Sequence, residues 1–409
     1  MKLEIIMFNM SNWREWEKGV VNRNRHIFFA LRKNPNVSRL IAIDFLPFTF
    51  KRAVRNYYEG IFNGLEGETI YRDLTNQVKK LKKEEGLAET YVFSSIDSLF
   101  SPQRFLDKLI QVLKKINQSG NQSEPTRKII WSYFPMFVEY FDKIKADLTV
   151  FDTVDNWLEH PSWVKQKKRL EENYKIIAQK SNLIFTVAQD LANFFKKSFE
   201  REKDVYVIEN GVDFFHLTKE IKYADKKLEK IKRPIVGYIG TLEKRVDADL
   251  LAYLARENQD KSFVLIGPLW PAFAEEAKKF RKFKNIYLFG RRSYELSPYY
   301  MQNFDVAIIP HKLTKFMKST SSLKLLEYLS CGKPVVSVPI SGAEKIGHLV
   351  FLATDYAEFN KRINQALLEN NEELKRKREK YAAACSWEKK TEEMIEKIKS
   401  VNLKMQNDN

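Results

Sequence analysis

The segment at 305–339 constrains the fold of this chain more than any other part of the sequence. Two short apolar runs, which indicate strands, flank a helical pattern that starts after Ser322 and is closed by Gly332 and Pro334. This order predicts two parallel strands joined by a helix, with the start of the helix at the carboxyl edge of the sheet. The free N–H groups and the dipole of such a helix favour an anion, for example a diphosphate, at that edge.

Short apolar runs alternate with longer amphipathic stretches along the whole chain, which predicts an α/β protein built from parallel sheets. In the first half we predict strands at 2–8, 38–44, 90–95, 128–132, 148–152, 183–187 and 205–208, and helices at 20–33, 73–84, 103–117, 136–145, 163–179 and 188–199. In the second half we predict strands at 234–239, 262–267, 285–289, 305–310 and 335–339, and helices at 247–258, 271–283 and 322–331.

A length of 409 residues favours two domains over one. A lysine-rich connection at 218–233 separates the two series of strands and helices, so we expect an N-terminal domain at 1–215 and a C-terminal domain at 216–385. Each would be a doubly wound, Rossmann-like sheet, with ligands bound at the carboxyl ends of the strands in a cleft between the domains. A terminal helix at 386–409 is expected to pack back towards the N-terminal domain. Its predicted apolar face consists of Trp387, Met394, Ile398 and Val401.

Composition limits the setting and the partners. The chain contains no apolar run long enough to span a membrane, its first residues lack the features of a signal peptide, and its two cysteines, Cys331 and Cys385, cannot form a disulfide framework. We therefore expect a reducing, cytoplasmic setting. The formal net charge of +17 indicates an anionic partner, or else only the solvated helix faces of a lysine-rich proteome.

The helix after Ser322 carries the most specific motif. Residues 323–336, LKLLEYLSCGKPVV, resemble a segment in the second domain of the GT-B glycosyltransferases, specifically the retaining group 1 family. The resemblance implies a two-domain GT-B fold and a nucleotide-diphosphate sugar as donor. It also implies that Glu327 binds the ribose of the donor. Lys324 lies on the same helix face as this glutamate. The backbone of Ser322 and Leu323 is expected to contact the diphosphate.

The family pattern is incomplete in this chain. Many members carry a second glutamate eight positions before the ribose-binding one, where it touches the donor sugar, whereas this chain has Ser319 at that position. Recognition of the sugar must therefore differ or come from a neighbour such as Lys318.

Two further runs resemble the donor domain of the same family. In VGYIGTLEKR, Gly240 and Thr241 form a loop that is expected to approach the phosphates closely. Lys244 or Arg245 from the same run is expected to neutralise the pyrophosphate that leaves. In FGRR, Arg291 is expected near the nucleotide base, or else it is a solvated loop cation.

The candidate catalytic carboxylates follow a predicted strand of the N-terminal domain, in the run TVFDTVDNW. Asp152 stands at the strand end where many retaining relatives place a histidine that touches the sugar, and we expect its carboxylate to point at the reacting sugar. Asp155 is the second candidate, although it also suits the cap of a following helix. A carboxylate here would act as general base in an inverting enzyme, or would stabilise an oxocarbenium-like transition state in a retaining one. The sequence leaves both outcomes open.

The N-terminal domain also offers basic residues for the cleft. Arg23, Arg25 and His26 lie in a segment that resembles the first helix of family members acting on bacterial surface polysaccharides. At least one of them is expected to be solvated instead of facing the cleft.

No metal or other cofactor is expected. The five histidines are scattered, and GT-B enzymes as a class hold the diphosphate with a helix dipole and basic side chains. The expected partners are a nucleotide sugar, with UDP- and GDP-sugars as the expected donors, and a saccharide or lipid-linked acceptor. Together these features predict a glycosyltransferase of bacterial surface polysaccharide synthesis.

Two other functions stay open at this point. A nucleotide-sugar 2-epimerase shares the fold but needs several acid/base residues, and the scarcity of histidine disfavours it. The other is a basic nucleic-acid-binding protein. Nucleic acid is nevertheless not an expected partner, because the basic residues are dispersed among acidic ones and no nucleic-acid-binding module is recognisable.

An aromatic and basic run at 48–58, FTFKRAVRNYY, suggests peripheral contact with an anionic leaflet at the inner face of the cell membrane. Apolar insertion would come from Phe48, Phe50, Val54, Tyr57 and Tyr58. Electrostatic attraction would come from Lys51, Arg52 and Arg55. The alternative is a helix that faces the core and presents only a basic side to solvent.

Overall fold

The computed structural model describes residues 2–63, 65–119, 125–314 and 322–407. It divides the chain into two compact units. Unit 1 comprises Met1–Ile208 and Thr391–Asn409, and unit 2 comprises Glu209–Lys390. The boundaries predicted from the sequence, after residues 215 and 385, lie a few residues from these divisions.

Unit 1 is built on one sheet. Its strands are β1 (Lys2–Phe8), β2 (Val37–Ile43), β3 (Glu68–Arg72), β4 (Asn76–Lys80), β5 (Glu89–Ser95), β6 (Thr126–Ser132), β7 (Leu148–Thr153), β8 (Leu183–Thr186) and β9 (Val205–Val207). Across the described part of the sheet the strand order is β3-β4-β5-β2-β1-β6-β7-β8-β9. From β5 to β9 the neighbours pair in parallel, so the carboxyl ends of these strands lie at one edge.

Helices cover both faces of this sheet, which explains why its central strands are almost continuously apolar. The α-helices are α1 (Trp13–Glu17), α2 (Arg23–Lys33), α3 (Phe50–Asn56), α4 (Asp97–Phe100), α5 (Pro102–Ser119), α6 (Lys167–Lys180) and α7 (Gln189–Phe199). A π-helix, Tyr57–Phe62, continues α3, and two 3₁₀ helices span Pro135–Tyr140 and Pro161–Gln166. The helix predicted at 136–145 is therefore a shorter 3₁₀ helix.

The helix predicted at 73–84 is wrong. The structure places strand β4 there, paired antiparallel with β3 and β5. The lysines of this stretch resemble the solvated face of a helix, but Val78 is fully buried and pairs with Phe93 of β5. Pairing with a formed strand overrides the local pattern, and the sheet is mixed at this end instead of wholly parallel.

Unit 2 is built on a second, wholly parallel sheet. Its strands are β10 (Ile235–Ile239), β11 (Ser262–Ile266), β12 (Ile286–Gly290), β13 (Val306–Ile309), β14 (Val335–Ser337) and β15 (Val350–Leu352). In the described residues they follow the order β12-β11-β10-β13-β14-β15, so the direction of winding reverses between β10 and β13. Ligands of open α/β sheets bind at such a reversal, outside the carboxyl ends of the strands.

The α-helices of unit 2 are α8 (Phe214–Thr218), α9 (Lys226–Glu229), α10 (Ala248–Glu257), α11 (Ala274–Ala277), α12 (Ser297–Gln302), α13 (Leu323–Ser330), α14 (Tyr356–Leu368) and α15 (Glu372–Ala384). The single helix predicted at 271–283 is instead α11 between two 3₁₀ helices, Pro271–Phe273 and Lys278–Lys282.

The terminal helix α16 (Trp387–Asn407) begins in unit 2, and its residues from Thr391 onwards belong to unit 1. Its predicted apolar face is buried, since the exposed fractions of Trp387, Met394, Ile398 and Val401 are 5% or less.

Candidate functional site

Helix α13, which carries the group 1 motif, is held against the end of the first strand of unit 2. The helix starts after the N-cap Ser322. The backbone N–H of Ile239, the last residue of β10, donates to the Tyr328 hydroxyl over 2.9 Å. This hydrogen bond keeps the first turns of α13 beside the loop that follows β10.

The loop after β10 requires glycine at position 240 for two reasons. Gly240 has a φ of +152°, a conformation that residues with a side chain rarely adopt. In addition, a Cβ atom at this position would overlap Cε of Lys324. The aliphatic stem of Lys324 therefore lies directly on the loop backbone, and its Nζ is 5.7 Å from the centre of the Tyr238 ring.

Two cations and two carboxylates share this site. Arg245 Nε donates to Glu243 Oε1 over 2.6 Å. Burial, followed by the positive charge of Arg245, lowers the pKa of Lys324 to about 8. Glu327 and Glu243 act on that lysine in the opposite direction. Burial raises the pKa of Glu327, an effect that Lys324 opposes without cancelling it. An anion that reached Lys324 would restore the stability of its charged form.

Sequence patterns did not indicate His311, which lies beside these residues. It is the second residue after β13, is 2% exposed, and neither ring nitrogen has a hydrogen-bond partner within the described part of the chain. Burial and the charges of Lys324 and Arg245 hold its pKa well below the usual value, so the ring is neutral at neutral pH. The available signal was a histidine that follows a buried apolar strand after a single proline, at the carboxyl edge of the sheet.

The other predicted donor residues lie around this edge with different accessibilities. Ser322 and Leu323 are half-buried at the start of α13, and the Ser322 side chain makes no capping hydrogen bond. Thr241 is half-buried, and its carbonyl accepts from the Tyr238 hydroxyl over 3.2 Å. Lys244 is exposed on the loop after β10.

Arg291 lies further away along the sheet. It is exposed and follows β12, which β11 separates from β10. Its neighbour Arg292 is engaged inside the unit, where it donates to the Tyr300 hydroxyl over 2.8 Å and to the Phe289 carbonyl over 2.6 Å. Lys318 and Ser319, which the sequence analysis considered for sugar recognition, lie outside the described residues.

In unit 1, the expected orientation of Asp152 is wrong. The residue is 0% exposed, and Arg23 Nε donates to its two carboxylate oxygens over 3.0 and 3.1 Å. Burial raises the pKa of the Asp152 carboxyl, although Arg23 opposes the change. The carboxylate packs beneath the start of α2 instead of pointing at a substrate, because its strand places it on a covered face of the sheet.

Asp155 is the more accessible of the two carboxylates. It is half-buried, and its backbone carbonyl accepts from the Tyr174 hydroxyl over 3.2 Å and from the Thr153 hydroxyl over 3.1 Å. The expectation that it caps a following helix is wrong, because the chain makes a turn here and the next helical segment is Pro161–Gln166. Backbone hydrogen bonds thus fix its position just beyond β7.

Two of the three predicted basic residues at the start of α2 are buried. Arg23 and His26 are 3% and 7% exposed, and Arg25 is half-buried with its guanidinium 5.0 Å from the centre of the Phe29 ring. Arg25 thus keeps partial contact with solvent, whereas Arg23 is the buried partner of Asp152.

Within the described part of the chain, no group of three or more histidine, cysteine or acidic side chains is arranged to hold a metal ion. None of the helices in the same residues combines the length and the apolar character needed to cross a bilayer.

Comparison with known proteins finds a family model that matches part of unit 2 and two curated relatives. Residues 233–369 match the family model described as Glycosyl transferases group 1. The chain is 23% identical over 248 residues to the putative teichuronic acid biosynthesis glycosyltransferase TuaH of Bacillus subtilis, a match that covers 58% of this chain and 62% of that protein. It is 27% identical over 213 residues to the uncharacterized glycosyltransferase MJ1069 of Methanocaldococcus jannaschii, covering 48% and 52%. The matches thus span less than two thirds of these relatives.

Solved structures share the architecture over almost the whole chain. The crystal structure of Anabaena Alr3699/HepE in complex with UDP and glucose superposes with a TM-score of 0.63 at 16% identity, covering 97% of this chain and 100% of that one. Sucrose-phosphate synthase from Thermosynechococcus elongatus gives 0.68 at 12% identity, covering 98% and 100%. At these identities the likeness shows the fold, which is the two-domain GT-B fold.

Proposed function

We propose that this chain is a GT-B group 1 glycosyltransferase, and that it transfers a sugar from a nucleotide-diphosphate sugar to a saccharide or lipid-linked acceptor. The observation that carries the proposal is the site of Lys324 and Arg245 beside Gly240. Two cations gather where the start of α13 already favours an anion, and burial together with the charge of Arg245 lowers the pKa of Lys324.

We assign the parts of the donor to this site as follows. The diphosphate binds Lys324, Arg245 and the backbone N–H groups at the start of α13, near the loop formed by Gly240 and Thr241. The ribose binds Glu327, because an ionised carboxylate accepts hydrogen bonds from two hydroxyl groups. Glu327 also lies one helical turn further along the same face as Lys324. Lys244 and Arg291 contact the donor only at its solvent-exposed ends. No metal is required, since the positive charges neutralise the leaving diphosphate.

We assign the acceptor to unit 1 and its activation to Asp155. A general base must reach the hydroxyl whose proton it removes, and solvent reaches Asp155 but not Asp152. The same carboxylate suits either stereochemical outcome, as base for an inverting transfer or as stabiliser of positive charge in a retaining one.

Two comparisons support a narrower choice of substrates. Alr3699/HepE binds UDP and UDP-glucose in its crystal structures, which favours a UDP-sugar over a GDP-sugar as donor here. The name of the Bacillus relative refers to teichuronic acid biosynthesis, which favours a growing surface polysaccharide at the cytoplasmic face of the membrane as acceptor.

Nucleotide screening tests the donor assignment. A nucleoside diphosphate binds the folded protein and not the unfolded chain, so at a hundred times its dissociation constant it should stabilise the protein by about 2.7 kcal/mol. We expect the largest rise in melting temperature with UDP among UDP, GDP, ADP and CDP. No rise with any of them, combined with a rise on adding nucleic acid, would reject the proposal.

Product analysis separates transfer from epimerisation. With a panel of labelled UDP-sugars, a glycosyltransferase releases UDP in proportion to an added saccharide acceptor. A 2-epimerase acts on its nucleotide sugar without any acceptor and produces an altered sugar. Turnover that is independent of every acceptor and gives an epimerised sugar would replace the proposed activity with the epimerase.

A further inference from the structure

One face of α3 and of the π-helix that follows it presents large apolar side chains to solvent. Phe50, Val54, Tyr58 and Phe62 follow one another at intervals of four residues and are 75%, 52%, 57% and 60% exposed. This spacing places them along one side of a helix. The Tyr58 and Phe62 rings stack with their centres 5.9 Å apart. We call this set of four residues the apolar stripe.

The exposure of the apolar stripe does not result from loose attachment of the segment. On the opposite side, the Asn56 side chain donates to the Phe45 carbonyl over 2.8 Å and accepts from the Asn12 amide over 2.6 Å. A Cβ atom at Gly60 would lie 2.9 Å from the side chain of Ser94, so the backbone there packs directly on β5. Unit 1 therefore holds one side of the segment firmly and leaves the apolar stripe uncovered.

The structure corrects the sequence-based description of this segment. Its outward side is apolar as well as basic, which contradicts a core-facing helix with only a basic outer side. Phe48 and Tyr57, expected to insert into the membrane, are half-buried, and Phe48 stacks on Phe137 at 5.7 Å. Phe62, which the sequence analysis did not select, extends the exposed row by one more turn.

Basic residues border the apolar stripe. Lys51 and Arg55 are exposed on α3 itself. Lys18 reaches the same segment, where its Nζ donates to Glu59 Oε1 over 2.6 Å, and Arg14 Nε donates to the Glu59 carbonyl over 3.3 Å. Together, residues 13–18 and 50–62 hold five basic and three acidic side chains, so the surroundings of the stripe are net positive.

We propose that the apolar stripe docks unit 1 on the surface of an anionic lipid bilayer. A single row of aromatic and aliphatic side chains on an outward-facing helix suits shallow insertion at the boundary between headgroups and acyl chains, and the bordering cations suit the lipid phosphates. Monomeric soluble proteins seldom leave such a row uncovered without a binding role.

The location of the apolar stripe in unit 1 fits a lipid-linked acceptor bound near Asp155. The identity of this acceptor rests on the proposed function. Segment α3 follows β2, and Asp155 follows β7. The parallel pairings from β2 through β1 and β6 to β7 place both strand ends at one edge of the sheet. Docking would bring this edge of unit 1 to the membrane surface, where a lipid-linked saccharide presents its sugar.

Vesicle flotation tests the docking. The full chain should float with vesicles of phosphatidylcholine and phosphatidylglycerol at low salt. A variant with Phe50→Gln, Val54→Gln and Phe62→Gln should lose at least about tenfold in partition coefficient while melting like the parent, because all three side chains are exposed. A matched control with Leu74→Gln, Phe215→Gln and Leu368→Gln removes apolar groups elsewhere that are even more exposed, and it should bind like the parent.

Charge variants and self-association complete the test. Lys51→Gln with Arg55→Gln should weaken flotation with anionic vesicles and leave the weaker binding to pure phosphatidylcholine unchanged. Absence of flotation of the parent at low salt overturns the proposal, as does an equal loss in the matched control. A third outcome also overturns the proposal: the parent does not float, but it dimerises with rising concentration, and only the stripe variant abolishes the dimer. The apolar stripe would then bind a second copy of this chain.

The docking and the donor site can fail separately. The stripe variant should keep the rise in melting temperature with UDP, since the donor site lies in unit 2. Flotation without any nucleotide effect would keep the docking and reject the proposed donor. A nucleotide effect without flotation would do the reverse.

Discussion

Asp152 of unit 1 and Glu327 of unit 2 both lie near the carboxyl edge of a parallel sheet with a basic side chain beside them. Asp152 is 0% exposed, and Arg23 binds both of its oxygens. Glu327 is half-buried and shares its site with Lys324, whose pKa is lowered to about 8. Burial raises the pKa of both carboxyls. In unit 1 the charges of Asp152 and Arg23 compensate each other. In unit 2 the site retains a charge that a ligand would stabilise.

The two sites differ in how well a sequence pattern predicts which side chains lie together. A motif on a helix specifies which residues share a face, because the spacing of three and four residues is set by the helix itself. A carboxylate at a strand end carries no such information, because the element that covers each face of the sheet comes from elsewhere in the chain. Four predictions, in order of decreasing effect, test this difference between Asp152 in unit 1 and Glu327 in unit 2.

The largest expected effect concerns the second carboxylate of unit 1. If Asp155 acts in catalysis, Asp155→Asn keeps the shape of the side chain but removes proton acceptance, and turnover should fall about 10²–10⁴-fold. Steady-state release of UDP with a saccharide acceptor measures it. Glu159→Gln removes an exposed carboxylate from the same turn and should leave turnover close to normal. Near-normal turnover of Asp155→Asn would leave unit 1 without an assigned base.

Asp152 should matter for stability. Asp152→Ala leaves Arg23 buried without its counter-charge, which should cost about 3–5 kcal/mol. Amide hydrogen exchange along β7 reports this locally in unit 1. Replacing both partners, Asp152→Leu with Arg23→Leu, should recover most of the loss, because no buried charge remains. A loss below about 0.5 kcal/mol in Asp152→Ala would mean that the ion pair does not anchor the start of α2.

Glu327 should matter for donor binding and not for folding. Glu327→Ala removes the paired, charge-assisted hydrogen bonds to ribose, which should weaken UDP binding by about 1.5–3 kcal/mol. Calorimetry with UDP measures the affinity, and the melting temperature should stay near that of the parent. Glu327→Gln retains one acceptor and should fall between the two. Unchanged affinity in folded Glu327→Ala would remove α13 as the ribose site.

The smallest expected effect is a pH dependence set by Lys324. In the free protein its pKa is lowered to about 8, so the lysine becomes neutral as pH rises through that value, while a bound diphosphate favours the charged form. UDP affinity should therefore be constant just below pH 8 and fall by up to about tenfold per pH unit above it. Lys324→Gln should bind weakly and lose this slope.

A matched variant makes the pH test specific. Lys244→Gln removes an exposed lysine from the neighbouring loop and should keep the slope of the parent. UDP affinity is measured between pH 7 and pH 9.5, because this range brackets the pKa of about 8. If the affinity of the parent does not change across this range, Lys324 does not bind the diphosphate.

Patterns in the sequence predicted the two-domain GT-B fold, which the solved structures confirm, and a group 1 donor domain, which the family model matches over residues 233–369. Most strands and helices of both units were also predicted, because apolar spacing and capping residues act within one or two turns of the chain. The donor, the acceptor and the roles of individual site residues stay predictions.

Local patterns did not predict the burial of Asp152, the position of His311, strand β4 or the full exposure of the apolar stripe. Each depends on contacts between distant segments: Arg23 and Asp152 are 129 residues apart in the chain, and Val78 becomes part of a strand because Phe93 pairs with it. Local sequence patterns specify which face of an element is apolar, whereas the elements that cover or expose that face are brought together only when the whole unit folds.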